Sequence, residues 1–106
     1  MAHEADWRAA QKSGAYAGSP DDLRDGFIHF SAAEQIRGSA SKHRAGQTDL
    51  LLICYETSLF GDELKWEGKV ALFPHIYGKL DPAKASSVRP LPLGADGLHV
   101  FPEEIA

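Results

Sequence analysis

The sequence predicts an α+β fold: two N-terminal helices packed on a mostly antiparallel sheet, in one small domain spanning residues 1–106. Three observations carry that prediction. The elements read helix, strand, helix and then strands alone. Leu50 to Glu56 (LLLICYE) is apolar on both faces, as a central strand must be. No linker, repeat or low-complexity tract divides the chain.

The first helix spans Glu4 to Ser13, rich in good helix formers and closed by Gly14. Trp7 and Ala10 are three apart on one face, so Trp7 anchors this helix to the core. Tyr16 to Arg24 holds Gly18, Ser19, Pro20, Asp21 and Asp22 and reads as loop. Gly26 to Ser31 is a strand of β-prone residues entered through Asp25-Gly26. Ser31-Ala32-Ala33-Glu34 matches a capping box, which starts a second helix running to about Arg44 with Ala33, Ile36 and Ala40 inward. After the Leu50 strand, Gly61-Asp62 makes a turn. Leu64 to Glu67, Phe73 to Tyr77 and Val88 to Leu91 are short strands, Pro74 confining the second of these to a strand start or an edge. Asp96-Gly97 reads as a hairpin turn into Leu98 to Phe101.

Composition excludes several classes. Of 106 residues, 43% are hydrophobic and 25% charged, which is ordinary for a globular protein. Fifteen acidic against eleven basic residues give a net charge of −4, so there is no nucleic-acid footprint. Arg37, Lys42, His43 and Arg44 read as a solvated helix face. One cysteine, Cys54, forbids an internal disulfide framework, and the longest apolar run is too short for a bilayer. With no signal-peptide pattern, the expected location is cytoplasmic. Walker, dinucleotide-fingerprint, HExxH and cysteine-pair zinc patterns are all missing, and no ligand spacing signals a metal.

The informative feature is a pair of matching segments. Phe27-Ile28-His29-Phe30-Ser31 and Phe73-Pro74-His75-Ile76-Tyr77 both read Phe, x, His, x, hydroxyl. Side chains alternate along a strand, so each segment presents Phe, His and a hydroxyl on one face. Brought together, those faces place two imidazoles and two hydroxyls between aromatic walls, where titratable groups are functional candidates. Ser31 has a structural use as an N-cap and lacks the glycine elbow of a hydrolase nucleophile. Trp66-Glu67 offers a carboxylate beside an aromatic ring, with Glu56 as the competing carboxylate.

At GFIHFS and FPHIYG the chain resembles a bacterial family known as domain-of-unknown-function family 952. Trp7, Ala10 and Gly14 fit its first helix, Gln35 the helix after the first motif, and Leu64 to Glu67 the following element. The resemblance implies a fold grouped with the ADP-ribosyltransferase-like α+β domains, without an established activity. It also implies an opening strand, an aromatic residue followed by Lys or His and then Ile. This chain runs from Met1-Ala2-His3 straight into a helix, so that strand is expected to be missing. The unpaired sheet edge then invites a homodimer.

The fold group directs attention to NAD. Breaking a nicotinamide–ribose bond builds positive charge on the ribose, which a carboxylate stabilises. On that reading His29, Glu67 and His75 are the catalytic candidates, with Glu67 as the carboxylate, Tyr77 as the ring platform and His29 as the ribose or phosphate contact. Phe27, Ser31, Gln35, Trp66, Phe73 and Tyr77 are the ligand-binding candidates, and NAD is the candidate cofactor. Two other classes compete: a two-histidine phosphoesterase-like site, with one imidazole as base and the other as acid, and a catalytically silent module that binds a nucleotide-like ligand or a partner.

Overall fold

In the computed structural model, which describes residues 1–105, the apolar run at Leu50 becomes the middle strand of one of two three-stranded sheets. The elements in order are β1 (Ala2–His3), α1 (Glu4–Ser13), α2 (Pro20–Asp25), β2 (Ile28–His29), α3 (Ile36–His43), β3 (Leu50–Cys54), β4 (Leu64–Glu67), β5 (Phe73–Ile76) and β6 (Ser87–Leu91). Single 3-10 turns occupy Thr57–Leu59 and Pro82–Lys84. One sheet has the order β1-β3-β6 and the other β2-β5-β4, with every pairing antiparallel. The class is α+β, built from three helices and two sheets where the sequence suggested two helices and one sheet.

Two apolar clusters explain why β3 is hydrophobic throughout. Leu51 packs with Trp7, Ala10, Tyr16, Ile28 and Ile76 on one side. Leu50 and Leu52, of opposite parity, pack with Ile36 and Leu91 on the other. Trp7 is 0% exposed and meets the Tyr16 ring edge-on at 5.4 Å, which fixes α1 against the sheet. Gly14 ends α1 as expected: its φ of 88° suits glycine, and its N–H returns to the Ala10 carbonyl.

Four expectations are corrected. The opening strand exists: Ala2 pairs with Leu51 and His3 with Leu50, so two residues occupy the edge thought to be open. The stretch read as loop contains α2. Its Gly-Ser-Pro punctuation is N-cap chemistry, with Pro20 in the first turn and Ser19 and Asp22 forming a reciprocal capping box. The box expected at Ser31 does not form. Ser31 Oγ donates to Ser39 Oγ at 2.9 Å, the Gln35 side chain accepts the Ala32 N–H at 2.9 Å, and α3 begins only at Ile36. Finally, the Gly26–Ser31 strand shrinks to Ile28–His29, and the Leu98–Phe101 strand to a single bridge between Leu93 and His99.

Candidate functional site

The matched motifs meet in register. β2 and β5 pair antiparallel with Ile28 opposite Ile76 and His29 opposite His75. Directly opposed residues share a face, so the isoleucines go to the core and the imidazoles go together to the other side. The two imidazole rings lie 5.4 Å apart, edge to face. Phe27 stacks on His75 at 4.1 Å and reaches His29 at 4.6 Å and Tyr77 at 5.2 Å. On β4, Lys65 stands opposite His75 and Glu67 opposite Phe73, which brings both charges to the histidine face.

Each imidazole is held by a carboxylate at Nδ1. His29 Nδ1 lies 2.6 Å from Asp22 Oδ1, and the same oxygen accepts the His29 backbone N–H at 3.1 Å. Asp22 Oδ2 takes the Ser19 N–H at 2.9 Å, so one buried carboxylate caps α2 and aims His29. His29 Nε2 faces Asp25 Oδ2 at 3.1 Å. His75 Nδ1 lies 2.9 Å from Glu67 Oε1, which also accepts the Tyr77 hydroxyl at 2.7 Å. No partner occupies His75 Nε2 among the described residues.

These contacts set the charges. The Tyr77 hydroxyl, and after it His75, hold the Glu67 carboxyl below the usual range. Glu67 in turn raises the Tyr77 phenol by holding its proton. Asp25 is lowered by its hydrogen bond to Arg24. Burial, followed by the charge of Asp22, pushes Tyr16 up to about 12. Three carboxylates, Asp22, Asp25 and Glu67, stand against two cations, Lys65 and the Arg24 guanidinium that pairs with Asp25 at 3.0 Å, so the surroundings of the two histidines are only slightly acidic.

A cleft of about 810 Å³ reaches His29, Ser31, Trp66, Phe73 and His75. Phe27 and Glu67, which contact His75, and Tyr77, which contacts both of them, are not among its lining residues. Gln35 is also off the cleft. Its amide donates to the Leu72 carbonyl at 2.7 Å, tying the start of α3 to the segment before β5. Glu56 lines the cleft. Among the described residues, no group of three or more His, Cys, Asp and Glu could hold a metal ion. Sequence reasoning missed Asp22 and Asp25. Their signal was the string Ser19-Pro20-Asp21-Asp22, a capping motif with proline at the first helical position, followed by a second carboxylate three residues on.

A small α+β domain with two histidines opposed across paired strands is the class that fold and site define. The chain belongs to the family described as "Protein of unknown function (DUF952)", whose model matches residues 1–88. It is similar to the crystal structure of protein CC0527 from Caulobacter crescentus: 41% identity over 92% of this chain and 88% of that one, with a TM-score of 0.88. A double mutant of CC0527 gives the same figures. Its solution NMR structure gives a TM-score of 0.82, covering 85% of that chain. No curated protein matches. None of the described helices is long and apolar enough to cross a membrane.

Proposed function

We propose that the cleft binds NAD or an ADP-ribose-like nucleotide, with the cationic nicotinamide end beside His29 and His75. One observation carries the reading: three carboxylates, Asp22, Asp25 and Glu67, converge on two registered imidazoles. Such surroundings stabilise a pyridinium ring, or the positive charge that develops on a ribose as the bond to nicotinamide breaks. Phe73, two residues before His75 on the same face of β5, supplies aromatic surface for the ring. His75 presents Nε2, because Glu67 occupies Nδ1, and that nitrogen can take a proton from an attacking hydroxyl or water. Glu67 acts through His75 and is a positioning residue. The ADP-ribosyltransferase-like grouping implied by the sequence motifs agrees with this chemistry and belongs to the same proposal.

The register of His29 against His75 favours a second reading, acid–base cleavage of a phosphodiester. The same three carboxylates weigh against it, because they repel a phosphodiester's charge at the imidazoles.

Thermal-shift measurements with NAD, ADP-ribose and a cyclic phosphodiester separate these readings. A ligand at ten times its Kd stabilises by about 1.4 kcal/mol. For a domain of this size that is a rise of roughly 5–10 °C. The nucleotide reading expects that rise with NAD or ADP-ribose and its loss in His75→Ala. A response to the cyclic phosphodiester alone would replace it with the second reading. No response to any of the three would leave a module without nucleotide affinity.

A further inference from the structure

The edge of a sheet presents unpaired N–H and C=O groups that attract further strands, and folded proteins usually guard it. Three edges of the two sheets are guarded here. β1 is only two residues long and runs into α1, whose first N–H donates to the Asp49 carbonyl. β6 carries Pro90. On β2 the His29 backbone N–H is taken by Asp22. β4 has no such cover: it ends the order β2-β5-β4, holds no proline and pairs with β5 alone.

The neighbours of β4 fix which of its backbone groups face outward. The Tyr77 N–H donates to the Glu63 carbonyl at 2.8 Å, so Glu63, Lys65 and Glu67 bond inward to β5. Trp66 stands opposite Pro74, which has no N–H and whose carbonyl accepts the Phe30 N–H at 2.9 Å. The Trp66 N–H and C=O therefore point out of the sheet, and among the described residues neither has a partner. Apolar surface lies on the same hairpin: Trp66 is 48% exposed, Leu72 is 55% exposed and Val70 is fully exposed.

We infer that β4 is the docking edge for a second copy of this chain, joined antiparallel across a two-fold axis at Trp66. One register matches outward groups with outward groups and opposite charges with each other. Trp66 exchanges two N–H···O=C bonds with the partner's Trp66. Lys65 then stands directly opposite the partner's Glu67, and Glu67 opposite the partner's Lys65, on the histidine face. Sliding the strands to the next register with the same hydrogen-bond phase sets Lys65 against the partner's Lys65, or Glu67 against the partner's Glu67. Like charges directly opposed destabilise a strand pair, so those registers are disfavoured. A lone lysine guards an edge against any strand, whereas Lys65 followed by Glu67 selects an identical one. The second copy thereby brings a cation beside the carboxylate that holds His75. This contact does not depend on which ligand the cleft takes. A four-residue edge belongs with transient interfaces, below roughly 1,200 Å², so the dimer should dissociate at concentrations on the order of 100 μM.

Sedimentation velocity of the unliganded chain from about 10 μM to about 1 mM should show the mass rising from monomer toward dimer. Lys65→Glu and Glu67→Lys each set like charges opposite one another in both pairs, and each should weaken self-association by about tenfold or more. Mixed in equal amounts, the two variants regain both opposite-charge pairs and should associate with each other about as tightly as the native chain does with itself. Hydrogen exchange supplies a readout on the native chain: the Trp66 backbone N–H should exchange freely at the lowest concentration and be protected at the highest. Circular dichroism checks the fold of each variant. Glu67→Lys takes the carboxylate from His75, and if it fails to fold, Lys65→Glu and the exchange measurement decide alone. The dimer at β4 is overturned if the chain stays monomeric throughout, if Trp66 exchange is the same at both concentrations, or if Lys65→Glu self-associates like the native chain. It is equally overturned if the mixture of two folded variants associates no better than either alone.

Discussion

Asp22→Asn tests the claim that one carboxylate holds both the cap of α2 and the orientation of His29. The Asp22 side chain accepts three hydrogen bonds, from Ser19 N–H at 2.9 Å, His29 N–H at 3.1 Å and His29 Nδ1 at 2.6 Å. It does so at 8% exposure, where water cannot substitute. Asparagine keeps one oxygen and turns the other into a donor. In either amide orientation a backbone N–H, of Ser19 or of His29, then faces an NH₂ group. A bond to a charged partner contributes about 1.5–3 kcal/mol, and a stranded buried donor costs about 1–3 kcal/mol. Asparagine also escapes the desolvation cost of the carboxylate, so the net expectation is about 2–4 kcal/mol of lost stability. That is a large part of the roughly 5–15 kcal/mol that holds a domain together. It corresponds to a fall in Tm of roughly 10–20 °C. Urea denaturation followed by far-UV circular dichroism reads it directly, with a lower midpoint at unchanged slope. A double-mutant cycle with His29→Phe should show coupling well above the roughly 0.5 kcal/mol scatter of independent sites. An Asp22→Asn midpoint indistinguishable from native, or strict additivity with His29→Phe, would refute the shared-carboxylate argument.

Five further substitutions have expected outcomes. Tyr77→Phe removes the largest influence holding Glu67 low, so the Glu67 carboxyl should move up toward its ordinary value in a ¹³C-detected carboxyl titration. The sign follows from that depressed pKa: the Glu67 contribution is present above the unfolded-state value and is lost as pH falls through the folded one, so Tyr77→Phe should flatten the acid limb of the stability profile. Gly68→Ala should destabilise by about 1–3 kcal/mol, since φ is 154° and an added Cβ would collide with the Ala71 carbonyl oxygen. Gly38→Ala, mid-helix in α3 with nothing within 4 Å of the place its methyl would take, should stabilise by about 0.4–1 kcal/mol, and thermal melts of the two variants should shift in opposite directions. Ser19→Ala should cost about 0.5–2 kcal/mol through loss of the cap to the Asp22 N–H, whereas Ser31→Ala, whose hydroxyl caps nothing, should leave α3 helicity unchanged.

The readable parts of this fold are those where periodicity is strong. The apolar run at Leu50 announced its burial because both parities had a cluster to fill. The two Phe-x-His strings announced a shared face because strand alternation places His29 and His75 by counting alone. Local chemistry misled where two strings competed for one motif. Ser19-Pro20-Asp21-Asp22 and Ser31-Ala32-Ala33-Glu34 both satisfy the capping pattern, and proline at the first helical position distinguishes the one that forms. The capping string marks Asp22 as a helix cap but not as a partner of His29: Asp22 lies seven residues before its imidazole and reaches it only because α2 folds back onto β2. Gln35 bonds to Leu72 across 37 positions, a contact no local pattern encodes. A two-residue strand such as β1 is too short to show any period at all.

The placement of the two tryptophans gives this small chain a pair of intrinsic optical probes. Trp7 is sealed in the core at 0% exposure, and Trp66 stands 48% exposed where β4 meets the cleft. A buried indole emits toward the blue and resists collisional quenchers, whereas a half-exposed one emits toward the red and is readily quenched. Acrylamide or iodide therefore silences Trp66 first, and the residual emission follows the packing of α1 on its sheet. Difference spectra with and without quencher let ligand arrival at the rim and loss of the core be timed separately, in unlabelled protein and in a single cuvette.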